Sequence, residues 1–387
     1  MEGRSLYGPI LIASPGSTPS QHGIVDVANS QWTQKVDLVS IFPPEIFEYI
    51  ADNLFVLTPP QKNYCGPIHS RKPPFTDVHG FMAASPALHD IGMIRWVCVL
   101  TIRDPEDWAM VLDKSNLIRE LICLDGVFSS NHHAILHRFP YLHSITIDAH
   151  SDVYKNEMGR FSYRDVFSTL PPNVVQLEIT CAHGPDLKII EMVRGCCPNI
   201  EALRLGRCTM FNRATPCQFW QGFPFDHDAY IASNGTDDYA HSVAQEINSL
   251  AQLKHLRLGV YLAPSTAVLA HRAYHVRKEA APALINWQQA LTDAAVHHAV
   301  NGPPDVSLLV EFYYPSPAPE LDFGPDSCSF CREAFYDQSK DFERSASAVM
   351  KTIIPSLEIV EWMDWFTPSH LGVSRYDVKR PQAVAAS

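Results

Sequence analysis

Along residues 97–366 one arrangement of apolar positions keeps returning: apolar, two variable places, apolar, one variable place, apolar. It occurs at Val97/Leu100/Ile102, Ile118/Leu121/Cys123, Leu142/Ile145/Ile147, Val174/Leu177/Ile179, Ile200/Leu203/Leu205, Leu253/Leu256/Leu258 and Leu357/Val360/Trp362. The last two places are two residues apart, so they share one face of a short strand. Between these segments the apolar period lengthens to that of helices. Asp104-Pro105-Glu106-Asp107 supplies a cap, a first-turn proline and early acidic residues, and Trp108, Val111 and Leu112 follow on one face. Gly195 and Pro198 stop a helix that carries Leu187, Ile190 and Val193. Further helices are predicted near 131–138, 162–170, 238–251, 280–300 and 339–353, with an additional strand over 306–314.

Upstream the pattern differs. Residues 1–35 are rich in Ser, Pro, Gly and Gln without apolar period, which predicts a disordered arm. Residues 36–96 predict a small helical module. In it Pro43 and Pro44 suit the start of a helix, Glu45 complements its positive end, and Ile46, Phe47, Ile50 and Leu54 form an apolar stripe. After a Pro-rich connector, a second helix is expected from His79 to about Ile91, ended by Gly92. The 97–366 region then reads as an α/β domain. Its early repeats match the roughly 20–29-residue period of leucine-rich repeats, and the wider later gaps require insertions. Residues 207–236, with Phe219 and Trp220, lack a period and read as one insertion, and 367–387 as a flexible tail.

Composition narrows the function classes. The 387 residues carry 42 acidic against 30 basic side chains, a net charge of −12, which argues against nucleic-acid binding. The ten cysteines are scattered and read as reduced, mostly buried thiols. No apolar run reaches the roughly 18 residues of a membrane span, and the start lacks a signal-peptide core. The expectation is a cytoplasmic or nuclear protein without membrane contact.

The stretch from Ile41 to Leu54 resembles the first half of an F-box, with Phe42, Pro43, Glu45, Ile46, Ile50 and Leu54 in the signature places. Gly80 to Val97, leading into the Leu100 strand, resembles its second half. The order, F-box-like module then irregular leucine-rich-repeat solenoid, is similar to that of many F-box proteins of filamentous and mushroom-forming fungi. The resemblance implies a non-catalytic substrate-recognition subunit of a cullin-RING ubiquitin ligase. A Skp-type adaptor would bind through Phe42, Pro43, Pro44, Glu45, Ile46, Ile50 and Leu54, and the repeats would select a protein substrate. The connector is longer than in that pattern, and Ser85 and Leu88 stand near places where Cys and Trp are common, so a repeat scaffold that binds no adaptor stays open. Polar places within the strand spacing, Glu120, Ser144, Gln176, Arg204 and Arg257, together with Phe219 and Trp220, are the expected substrate contacts.

A third reading is an α/β barrel enzyme, whose catalytic residues would stand at strand ends, where this chain has Asp148, His150, Asp152, His183 and Asp364, with Glu311 inside another strand. His150-Ser151-Asp152 has the spacing of two legs of a 2-His-1-carboxylate iron site, with His183 as a third, although a plain loop explains it as well. Cys328-Ser-Phe-Cys331 lacks the second ligand pair of a zinc knuckle. The adjacent histidines His132-His133 and His297-His298 point about 100° apart on a helix and read as solvated. No phosphate-binding glycine loop, GxSxG or HExxH occurs. The sequence thus assigns no catalytic residue, no cofactor and no metal ligand.

Overall fold

All seven recurring segments form strands of one sheet. The computed structural model describes residues 42–57, 71–128, 132, 134–158, 161–183, 186–208, 217, 219, 235–263, 329–367 and 372–379. The expected arm, the strand over 306–314, the helix over 280–300, Glu311, Trp220, His133, the second histidine pair and the Cys328/Cys331 pair lie outside the described residues or side chains. The chain divides into two units, Met1–Pro44 and Glu45–Ser387, and Phe42, Pro43 and Pro44 belong to the first.

The second unit is mixed α/β. Its main sheet has eight strands in the order β1 (Val99–Ile102), β2 (Glu120–Cys123), β3 (Ser144–Asp148), β6 (Gln176–Ala182), β7 (Ala202–Arg207), β8 (His255–Tyr261), β9 (Ile359–Asp364) and β10 (Gly372–Asp377). Every pairing is parallel except the last. β4 (Val153–Lys155) and β5 (Phe161–Tyr163) form a separate antiparallel hairpin between β3 and β6. Among the described residues no ladder joins β1 to β10, so these strands do not close as a barrel would.

The register explains the apolar spacing. Leu121, Ile145, Leu177, Leu203, Leu256 and Val360 stand side by side across the sheet, as do Cys123, Ile147, Ile179, Leu205, Leu258 and Trp362, and all are buried. The first apolar place of the motif sits just before each strand, and Ile118, Leu142, Val174, Ile200, Leu253 and Leu357 are all fully buried. There the backbone repeats one device six times: a carbonyl receives two successive N–H groups of the next unit. Cys98, Arg119, His143, Val175, Glu201 and Lys254 each accept such a pair at 2.8–3.2 Å. A device made of backbone N–H and C=O groups does not depend on which side chains stand there, provided the two donors are not proline.

The parallel strands are joined mostly through helices: α4 (Asp107–Leu112), α5 (Asp186–Cys196), α6 (Thr236–Ile247) and the long α7 (Ser329–Ile353). Trp108 is buried with its indole N–H donated to the Val127 carbonyl, and Trp362 donates to Ser347 Oγ, each at 2.9 Å. Of the helical segment expected near 131–138, the described part is a single 3-10 helix over Ile135–Arg138. No α-helix forms over 162–170, where β5 ends and a loop carries Phe167 and Leu170 into the core. Part of the expected flexible tail, 367–387, contributes β10, which pairs along the full length of β9.

Three helices precede the sheet: α1 (Pro44–Leu54), α2 (Phe75–Ala83) and α3 (Pro86–Val97). The single helix expected from His79 to Ile91 is two, because Ser85 accepts a hydrogen bond from Leu88 N as an N-cap and Pro86 starts α3. Gly92 ends nothing. It is buried inside α3, where a Cβ would lie 2.6 Å from Met82 Cγ and 3.1 Å from a Phe55 ring carbon, so its bareness lets the helices approach. Ala51, Phe55, Val78 and Met82 form the small core of this module. Arg71, just before α2, holds the Glu120 carboxylate of β2 at 2.6 and 2.7 Å. No helix among the described residues is long and apolar enough to cross a membrane.

β10 is fastened to α7 by a buried polar network. Lys340 Nζ lies 3.1 Å from Glu343 and 3.0 Å from Asp364, and Tyr376 OH donates to Glu343 Oε2 at 2.7 Å. Burial pushes the Glu343 carboxyl above its usual range, against the pull of Lys340 and Tyr376. A carboxyl raised in the folded state contributes stability that is fully present below its unfolded value and is lost as pH rises through the folded one. Glu343→Gln should therefore become relatively more stable against the parent as pH rises from mildly acid to neutral. Paired urea melts at the two pH values would show a rising midpoint difference, and a constant difference would contradict the assignment.

Candidate docking face and metal centre

The helical period of α1 sorts its apolar residues onto two faces. Phe47 and Ala51, with Phe55 just beyond the helix, repeat every fourth position and are buried. Ile46 and Ile50 stay 46% and 41% exposed, and Tyr49 and Leu54 join them in solvent. Phe47 therefore leaves the exposed stripe that the sequence assigned to it and is buried. The expected adaptor contacts Glu45, Ile46, Ile50 and Leu54 are all exposed, and in the first unit so are Phe42, Pro43 and Pro44.

The expected substrate contacts fare less evenly. Glu120, Ser144 and Gln176 occupy one cross-strand row, and Arg204 and Arg257 occupy the row two residues on, on the face opposite the apolar rows. Gln176 is exposed, and Ser144 and Arg204 are half-buried. Glu120 is taken up by Arg71. Arg257 is 3% exposed, with Nε 2.8 Å from Glu361 and a guanidinium nitrogen 3.4 Å from Glu178. It is thus part of the sheet's interior charge pairing rather than a free contact. Phe219 is also buried, its ring 4.7 Å from that of His183 and 6.3 Å from that of Tyr163.

At the C-terminal ends of three neighbouring strands the structure gathers His150, His183 and Cys208, and Cys217 joins them from the following segment. One ligand-type atom from each lies within 4.8 Å of those from all the others. Their origin is regular: His150 and Cys208 stand three residues past the last apolar strand positions, Ile147 and Leu205. His183 stands four past Ile179, because the β6–β7 register shifts between Ile179 and Ala182. Cys181 takes a left-handed backbone there, with φ of 57°, which turns His183 toward the others. Backbone bonds lock the three strand ends together, from Ala149 N to Thr180 O at 2.8 Å and from Cys208 N to Ala182 O at 2.9 Å. Gly206 permits this closeness, since a Cβ would stand 2.8 Å from the Ile179 carbonyl oxygen.

Asp152 is the orienting group. One carboxylate oxygen lies 2.8 Å from His183 Nδ1, and the other accepts from the His183 backbone N–H at 2.8 Å. With Nδ1 turned to the carboxylate, Nε2 faces Cys217 Sγ at 3.3 Å. Burial pulls the His183 imidazole pKa down, and the hydrogen bonds and charges of Asp152 and Cys217 outweigh it, leaving the ring above its ordinary value. His150 Nδ1 is buried and has no hydrogen-bond partner among the described residues. An atom left so costs about 1–3 kcal/mol. Of the iron-site trio suggested by spacing, the two histidines do meet, but Asp152 backs His183 instead of joining as a third donor. Cys208 and Cys217 were missed because they are nine residues apart, outside the short spacings of zinc motifs. The strand-end position of Cys208 was the available signal.

Comparison with protein-family models, with curated proteins and with solved structures finds no match to this chain.

Proposed function

We propose that the chain is a non-catalytic recognition subunit that docks a Skp-type adaptor of a cullin-RING ubiquitin ligase through α1 and receives a protein substrate on its repeat region. The observation that carries this reading is the outward face of α1. Ile46, Tyr49, Ile50 and Leu54 are exposed together on a helix whose other face is already buried, so the outward side chains are not needed to hold the module together. Apolar side chains at helical spacing with no internal partner face are the usual anchors of a helix that enters a groove. The resemblance of this segment to an F-box supplies the identity of the groove. Sequential parallel strands, each linked to the last by the same backbone device, support the leucine-rich-repeat reading of the remainder.

The test is a pull-down of the full chain with purified Skp-type adaptor, run beside Ile46→Asp/Ile50→Asp. Both sites are solvent-exposed, so the variant should unfold at nearly the parent's temperature while losing at least about 30-fold in adaptor affinity. No capture by a folded parent would remove the ligase role and leave the repeat scaffold.

A further inference from the structure

We propose that His150, His183, Cys208 and Cys217 form a structural Zn²⁺ site that ties the ends of β3, β6 and β7 to the start of the crossover leading to α6. The donor set is the first argument. Two imidazoles and two thiols make an S₂N₂ group, which suits zinc and is a poor fit for magnesium or calcium, whose preferred ligands are oxygens. Four protein donors close the coordination sphere, so the site holds the fold and leaves no position open for a substrate.

Geometry is the second. Bond lengths of about 2.3 Å to sulfur and about 2.0–2.1 Å to nitrogen make the edges of a zinc tetrahedron about 3.3–3.8 Å. His183 Nε2 and Cys217 Sγ already stand 3.3 Å apart, and no pair of ligand atoms exceeds 4.8 Å, so closure requires shifts of about 1 Å at most. The third argument is the support behind the ligands. Asp152 holds His183 by ring and backbone at once, the carboxylate–histidine arrangement that fixes the tautomer and presents Nε2 to a metal. Buried Phe219 packs against the same ring at a tilt.

The site would anchor Cys208 and Cys217, nine residues apart in the stretch 207–236. That stretch is the candidate substrate-contact region by sequence, and the zinc is independent of whether the adaptor binds.

The decisive experiment measures metal in the full chain, purified after expression in zinc-supplemented medium without metal-affinity steps. Mass spectrometry of the elements should find about one zinc per chain. Replacement by Co²⁺ should give the visible bands of four-coordinate cobalt together with a near-ultraviolet thiolate charge-transfer band. That spectrum needs no variant and so decides the matter even where substitutions fail to fold. Cys208→Ser/Cys217→Ser should abolish the thiolate band and the bound zinc. Asp152→Asn should weaken zinc about 10- to 100-fold in competition with a chelating dye, a change that a merely structural aspartate would not produce in folded protein. Absence of zinc from folded, zinc-exposed parent, a cobalt spectrum without the thiolate band, or a Cys208–Cys217 disulfide in freshly purified protein would each overturn the proposal.

Discussion

Glu361→Ala should destabilise the protein by about 3–5 kcal/mol, among the largest losses available to a single substitution on the sheet face. Glu178, Arg204, Arg257, Glu361 and Arg375 are register neighbours in one row across β6 to β10. Glu361 is 5% exposed and accepts from Arg257 on one side at 2.8 Å and from Arg375 on the other at 3.3 Å. Removing it leaves three arginines in the row against one carboxylate, with the buried Arg257 stripped of its nearer carboxylate. Breaking a buried pair costs more than the pair contributes, because the desolvated charge that remains is uncompensated. Glu361→Gln keeps an acceptor and should lose less. Urea unfolding of the three proteins measures this, and a loss below about 1 kcal/mol for the alanine variant would mean that Arg257 is solvated and available to a partner after all.

The same row shows what a sequence can and cannot reveal. Period-two alternation puts Arg257 on the face opposite the core, and it is there. Alternation says nothing about what stands on the adjacent strands, and Glu361 is 104 residues away in the chain. The apolar rows were legible because one spacing encodes both the strand and its register, and the preceding buried residue marks each strand's start. The N-terminal module was legible as helices but was read with one helix too few: the break at Ser85-Pro86 is a local cap-and-proline signal that the apolar period overrode, whereas the packing role of Gly92 depends on Phe55 and Met82, which meet it only in space. For the metal centre, His150 and His183 stood out by type and strand-end position. Their pairing with two cysteines did not, because it depends on a one-residue bulge at Cys181 and on strand order. A bulge leaves no apolar signature when its extra residue is as ordinary as cysteine.

Gly259→Ala is expected to cost about 2–3 kcal/mol and, unlike Glu361→Ala, to loosen zinc as well. A Cβ at position 259 would stand 2.5 Å from Arg207 N, 2.8 Å from Leu205 O and 2.9 Å from Gly206 Cα. These are backbone atoms of β7, which cannot swing aside as a side-chain tip can, so β7 and β8 must separate. The displaced residues immediately precede Cys208, whose N–H is bonded to Ala182 O beside His183. Strain at Gly259 is therefore delivered to two of the four ligands, whereas the Glu361 pairing lies mid-strand on β8, β9 and β10, away from the strand ends that carry the ligands. The pair of variants separates a general loss of stability from a specific loss of the metal. Both should melt earlier, but only Gly259→Ala should release zinc to a chelating dye faster than the parent at a temperature where both remain folded. Equal release from the two would mean that the strand ends do not hold the metal through β7, and a Gly259→Ala melt unchanged from the parent would show that the two strands are not in the close register described.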